Sequence, residues 1–139
     1  MDNIQELQFP ADGSSVWAGM GDFQLVSPDG AHRLDLRYAG EPPHGDSYHS
    51  AAIDGRPFPG HVWGCQFAVT GDSHYLAFSW KPSGYERKTV VVDLLAQRYC
   101  VLPDYIYDYR FIWPVIHDSA KHDKGVSYHF TGEETWFTY

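Results

Sequence analysis

Positive charge and cysteine are what this sequence has least of. Ten Lys and Arg stand against eighteen Asp and Glu, for a formal net charge of -8 and a pI near 5.3. A groove for a DNA or RNA backbone needs a basic face, so direct nucleic-acid binding is not expected. The two cysteines, Cys65 and Cys100, form no CxxC pair, which leaves no zinc-ribbon or redox signature. Both lie in apolar, strand-like surroundings, WGCQF and RYCVL, where a free thiol behaves as a small buried hydrophobe. Two reduced core thiols are expected, with a disulfide as the alternative. No apolar run approaches the roughly 18 residues of a membrane span. The opening MDNIQELQFP lacks a basic n-region and an apolar h-region, so it does not read as a signal peptide, and the expectation is a cytoplasmic protein. The apolar rhythm of a helix is nowhere sustained over three turns. Only Ile4 to Phe9 reads as a short turn of helix.

Aromatic residues, by contrast, are abundant. Ten Tyr, eight Phe and five Trp make up 17% of the 139 residues. A disordered acidic tail would be poor in such residues. The length suits about one domain, on a prior of roughly 150 residues per domain, and permits a real core. A single all-β domain over 1–139 is therefore expected. Val62 to Val69, His74 to Trp80, Lys88 to Leu94 and Arg98 to Leu102 are runs rich in aromatic and β-branched residues. GDS, KPSGYE and LLAQ between them supply turn chemistry. In the second run Leu76, Phe78 and Trp80 alternate with Tyr75, Ala77 and Ser79, the period of two of a strand with one strongly apolar face. The run TVVVDL is continuously apolar, as a strand interior to a sheet would be.

An internal repeat runs through these strands. QLVSPDGAHRLDLRY (Gln24 to Tyr38) aligns with QFAVTGDSHYLAFSW (Gln66 to Trp80) at an offset of 42, matching His32 with His74 and Leu34 with Leu76. Each copy continues through a Pro/Gly-rich connection into a strand ending in acid, Asp54 or Asp93, and each is preceded by VW, echoed again by Ile112-Trp113. Unit 1 covers about 16–55, unit 2 about 62–102, and a degenerate unit about 103–139. The pattern SPDG (Ser27 to Gly30) and VTGDSHYLAF (Val69 to Phe78) resembles the blades of β-propellers of the WD40 and TolB-like kind. A closed propeller needs at least four blades, and this chain has room for three at most. The resemblance therefore implies an antiparallel sandwich or curled sheet built from two to three blade-like repeats, or a ring completed by several chains. A structural role repeated in both units, such as hydrogen-bonding the adjacent turn, is expected for His32 and His74.

Chemistry-bearing residues are few. His117, Asp118, His122 and Asp123 form HDxxxHD, ligand types that suit zinc, but the spacing matches no helical metal motif. Solvated loop residues are the expectation, with no cofactor and no metal. There is no GxSxG elbow and no GxGxxG motif, so no catalytic residues are assigned. Two segments carry the candidate partner-binding residues. PDYIYDYRFIWP reads as an edge strand with Tyr105, Tyr107, Tyr109, Phe111 and Trp113 on one face and Ile106, Asp108 and Arg110 on the other. Tyr and Trp are favoured interface anchors, and Asp104 and Asp108 add acidic complementarity to a basic partner. The loop EPPHGDSYHS adds Glu41, His44, Asp46 and Tyr48. In make-up the chain is also similar to small acidic bacterial immunity proteins. That resemblance implies a non-enzymatic monomer or homodimer that binds a basic toxin, such as a nuclease. The alternatives are an assembly module forming a propeller-like oligomer and a metal-dependent enzyme using the histidines of 117–129.

Overall fold

The structure is a computed structural model and describes residues 3–120 and 125–139. The described residues form strands and turns and no helix. The strands are β1 (Ile4–Gln8), β2 (Val16–Trp17), β3 (Asp22–Val26), β4 (Arg33–Gly40), β5 (Tyr48–Ile53), β6 (Arg56–Pro57) and β7 (His61–Val69). They continue as β8 (Tyr75–Lys81), β9 (Lys88–Asp93), β10 (Arg98–Val101), β11 (Tyr109–Ile112), β12 (Val115–Asp118), β13 (Ser127–His129) and β14 (Phe137–Thr138). One large sheet runs β1-β3-β4-β5-β7-β8-β9-β10-β14, with β2 on β7 and β6 on β5, and β11-β12-β13 form a second, small sheet. The all-β reading holds. The expected helical turn at the N-terminus does not: Ile4–Gln8 is a strand pairing in parallel with Asp22–Val26, because an available sheet edge satisfies more of its backbone than one isolated turn would.

The large sheet curls so that its halves face each other. An inner core joins Phe23, Leu25, Leu34, Leu36 and Ile53 of the first half to Phe67, Val69, Leu76, Phe78, Val90 and Val92 of the second. An outer core lies on the reverse face of the second half, where Ala68, Ala77, Val91 and Cys100 meet Tyr109, Phe111, Ile116 and Phe130. The second half is thus buried on both faces. This is why TVVVD lacks alternation: β9 lies between β8 and β10 and alternates Val90 and Val92 inward with Val91 outward. The alternation expected in β8 is also present, with Leu76 and Phe78 in the inner core and Ala77 in the outer. Cys65 and Cys100 are both free and buried.

The two hairpin turns match bond for bond. Ser27 Oγ donates to Asp29 (2.7 Å) and accepts from the His32 N–H (3.0 Å). Thr70 Oγ1 donates to Asp72 (2.6 Å) and accepts from the Tyr75 N–H (3.0 Å). The flanking pairs are Val26 with Arg33 and Val69 with Leu76, so the turns are related by one residue more than the offset of the alignment. His32 therefore matches Tyr75 rather than His74. A one-residue shift turns a strand over: Leu34 faces the inner core, its counterpart Ala77 the outer core, and Leu76 points back inward. The histidines do not bond their own turns through their rings. His32 Nδ1 meets Asp54 at 2.7 Å and His74 Nε2 meets Asp93 at 2.9 Å, each fastening a turn to the acid ending the next-but-one strand segment.

Candidate partner-binding face

The period of two along β8 carries past Ala77 to Ser79 and Lys81. Ala77 is covered by the small sheet. Beyond it, the same face is covered by residues from three separate stretches of chain. Ser79 Oγ and Tyr105 OH are 2.8 Å apart. Arg87 Nη2 donates to Asp46 Oδ2 at 2.9 Å, and its guanidinium lies 4.1 Å from the centre of the Trp63 ring. Trp63 is fully buried and donates its indole N–H to the Glu86 carbonyl at 2.9 Å. Tyr48 packs edge-on against Trp63, its register partner across β5 and β7. Burial alone would lower the pKa of Arg87, but Tyr105 and Asp46 hold it above its ordinary value. The Tyr105 phenol is pushed up, chiefly by burial. Burial also pushes the Cys65 thiol up to about 11, so it carries little thiolate near neutral pH.

The loop 41–47 and the segment 103–108, far apart in sequence, thus meet around Arg87, while Tyr48, expected in that loop, begins β5. Tyr107 is exposed; its phenol is raised by partial burial and then by Cys65 and Asp46 nearby. Glu41, His44 and Asp104 are exposed. Trp17 and Met20 add apolar surface, at 50% and 63% exposure. Trp17 lies beside Gln66 on β7, and the Gly19 carbonyl accepts the Ser47 hydroxyl at 3.2 Å.

The edge strand expected from Tyr105 onward begins only at Tyr109. Over 103–108 the chain is irregular, so the alternation fails: Ile106 is buried, Tyr105 is half-buried and Tyr107 is exposed. The cause is Asp118, which accepts the N–H groups of Tyr107 (3.1 Å) and Asp108 (3.2 Å) and bends the segment away from strand pairing. Tyr109, a candidate anchor, is a core residue at 1% exposure. Trp113 stacks on Tyr75 at 3.9 Å. Tyr75 begins β8 and Lys81 ends it, which separates the two by about 20 Å at some 3.3 Å per residue. Trp113 is therefore not part of the Arg87 face.

Of the metal-ligand candidates, His122 and Asp123 lie outside the described residues. His117 and Asp118 are neighbours in β12, so their side chains leave opposite faces. Asp118 also accepts the Ala120 N–H at 3.0 Å, and its oxygens organise this loop. Among the described residues no three His, Cys, Asp or Glu side chains gather as ligands would.

Sequence reasoning missed Trp17, Met20, Trp63, Lys81, Tyr85 and Arg87. The signal for Lys81 was present, since it continues the period of Ala77 and Ser79. The others depend on how the strands curl.

Beneath the face, His49 is fully buried, with Nε2 2.9 Å from the Gly21 carbonyl and Nδ1 without a partner. Nε2 therefore carries the proton and donates it. Burial lowers the pKa of His49 below 6.5, more than its hydrogen bonds and Asp22 raise it. The unfolded chain thus binds the proton first as pH falls. Stability should be full above about pH 6.5 and decline from there toward the folded pKa. In urea unfolding at pH 7.5 and pH 5.5, H49Q should show a smaller decline than the wild type, because its amide can donate to Gly21 without titrating. An equal decline would assign the effect to other groups.

No protein-family model, curated protein or solved structure matches the chain. No helix among the described residues is long and apolar enough to cross a membrane.

Proposed function

We propose that this chain is a non-enzymatic binding protein, specifically an immunity protein that neutralises a basic bacterial toxin, a nuclease being the simplest case, by covering it. The observation that carries this reading is the meeting of the loop 41–47 and the segment 103–108 around Arg87, beside exposed Tyr107 and Tyr85. The face combines rigid aromatic anchors with the carboxylates Glu41, Asp46 and Asp104, on a chain of net charge -8. Anchors of this type dominate interface energetics, and opposite charge speeds encounter with a basic surface. A nuclease cleft must itself be basic to hold a phosphate backbone.

The alternative of an assembly module closing a larger ring requires a further apolar sheet face. The outward face of β3 and β4 instead carries Gln24 hydrogen-bonded to Asp35 at 3.0 Å, with Arg33 also on Asp35. A polar outer face is how a stack of sheets ends. Light scattering that returned a ring-sized particle would favour the assembly module.

Co-expression with the basic C-terminal domain of a toxin encoded beside this chain tests the proposal. Rescue of growth and co-purification are expected, and failure of both would overturn it. Within such a complex, Asp104→Asn should slow association a few-fold with little change in dissociation, as for a rim charge. Tyr107→Ala should accelerate dissociation by about tenfold or more. Stopped-flow and surface-plasmon measurements separate the two effects.

A further inference from the structure

Lys81 ends β8 directly across from His61 of β7. It is 9% exposed, yet among the described residues its ammonium makes no hydrogen bond and no ion pair. Its Nζ instead lies 4.4 Å from the centre of the Tyr48 ring, 5.8 Å from Tyr85 and 5.9 Å from Trp63. Ring faces stabilise a cation through their quadrupole, but they leave its three strong N–H donors without an oxygen acceptor. Most of the side chain is withdrawn from water, but the ammonium itself still reaches the surface, where an opposite charge arriving from outside can meet it. The neighbouring Arg87 already has its carboxylate, Asp46, at 2.9 Å. The group therefore carries one uncompensated positive charge, inside a chain whose net charge is -8.

We propose that Lys81 is the seat of a single carboxylate, supplied by an Asp or Glu side chain of the protein partner; this rests on the partner-binding reading above. Charge matching selects the carboxylate. A monoanion neutralises one ammonium, whereas a phosphate monoester brings about 1.5 to 2 negative charges at neutral pH and leaves the excess among the acidic groups of this face. The ammonium, a compact head with rotatable donors, bonds a carboxylate oxygen through a short charge-assisted contact. Once a partner covers the face, the aromatic walls help to exclude water, which strengthens that contact. On an otherwise basic partner, one acidic residue at this point fixes the docking register. A partner with Lys or Arg there is rejected by like charge.

The test is an NMR titration of the isotope-labelled chain, read at the Trp63 indole N–H and the Lys81 side chain. The probes are acetyl-Gly-Glu-Gly-amide, its Gln counterpart, acetyl-Gly-Gly-Gly with a free terminus, and inorganic phosphate. The Glu peptide should shift both signals saturably with a Kd of order 1 mM, and the Gln peptide should bind at least tenfold more weakly. K81M should abolish the Glu response and K81R should retain it. Equal binding of the Gln peptide, tighter binding of phosphate or of the free terminus, or an unchanged response in K81M would each overturn the proposal. The wild-type comparison of Glu with Gln decides it even if K81M fails to fold. Toxin rescue by a chain that ignores the Glu peptide would remove the carboxylate seat and leave the partner reading standing. Saturable Glu binding without rescue would do the reverse.

Discussion

Replacing Phe78 by alanine is expected to destabilise the fold by about 3–5 kcal/mol. Phe78 is fully buried in β8 at the centre of the inner core. Its ring meets Phe58 edge-on at 5.2 Å and Phe67 at 6.3 Å, so truncation removes contacts with both halves of the curled sheet at once. The cavity cannot collapse easily, because Phe67 and Phe78 are register partners held by the ladder of β7 and β8. Aromatic contacts of this geometry add about 0.5–1.5 kcal/mol beyond burial. Urea unfolding should give a lower midpoint with an unchanged slope. Ala77, the next residue, faces the outer core. Enlarging it to Leu should also destabilise, by overpacking of about 1–3 kcal/mol, but through the small sheet rather than the first half. A loss below about 1 kcal/mol in F78A would mean that the two halves are not pressed together as described.

The second large effect is expected at Gly64. It lies where β7 changes register between Val62 and Phe67, and its N–H donates to the Ser47 carbonyl at 2.7 Å. A Cβ there would stand 2.6 Å from the Gly19 carbonyl oxygen and 2.7 Å from both Ser47 Oγ and His49 Cε1. Each distance is well inside van der Waals contact. One neighbour is backbone and His49 is walled in, so the strands must part. Gly64→Ala should cost about 3 kcal/mol, the upper end for overpacking, and lower the melting temperature by about 10 °C at this chain length. Because Gly64 holds the 17–21 segment and residues 46–49 together, binding of the proposed partner should weaken more than the stability loss alone accounts for. Gly30→Ala is the control. Its φ of +74 imposes a backbone cost, but a Cβ there meets nothing within 4 Å, so about 1–2 kcal/mol is expected. Similar melting temperatures for the two variants would show that the close approach at Gly64 is not what constrains that position.

Much of the strand plan was legible in advance. Val62 to Val69 and His74 to Trp80 were expected to within one residue of β7 and β8, because period-two patterning and Gly/Asp turns are local signals. The core thiols were legible for the same reason, from apolar neighbours alone. The segment from Tyr105 was misread because its alternation of aromatics mimics a strand, while the deciding group is the carboxylate of Asp118, ten or more residues away. Ile4–Gln8 was misread because its partner, β3, is available only after the sheet exists.

The sequence by itself determined an acidic, aromatic-rich all-β chain with two similar turns and with strands whose faces can be read from period two. Local backbone preference and hydrophobic alternation are sufficient for that. Tertiary structure alone decided which core each face meets: Leu34 and Leu76 both turn inward, although the matching turns pair Leu34 with Ala77, which faces the outer core. It alone brought Asp46, Arg87 and Tyr105 together and left the Lys81 ammonium among aromatic rings without a carboxylate. These are contacts between residues far apart in the chain. They depend on how the sheet curls, which the sum of packing over both cores sets and no local pattern encodes.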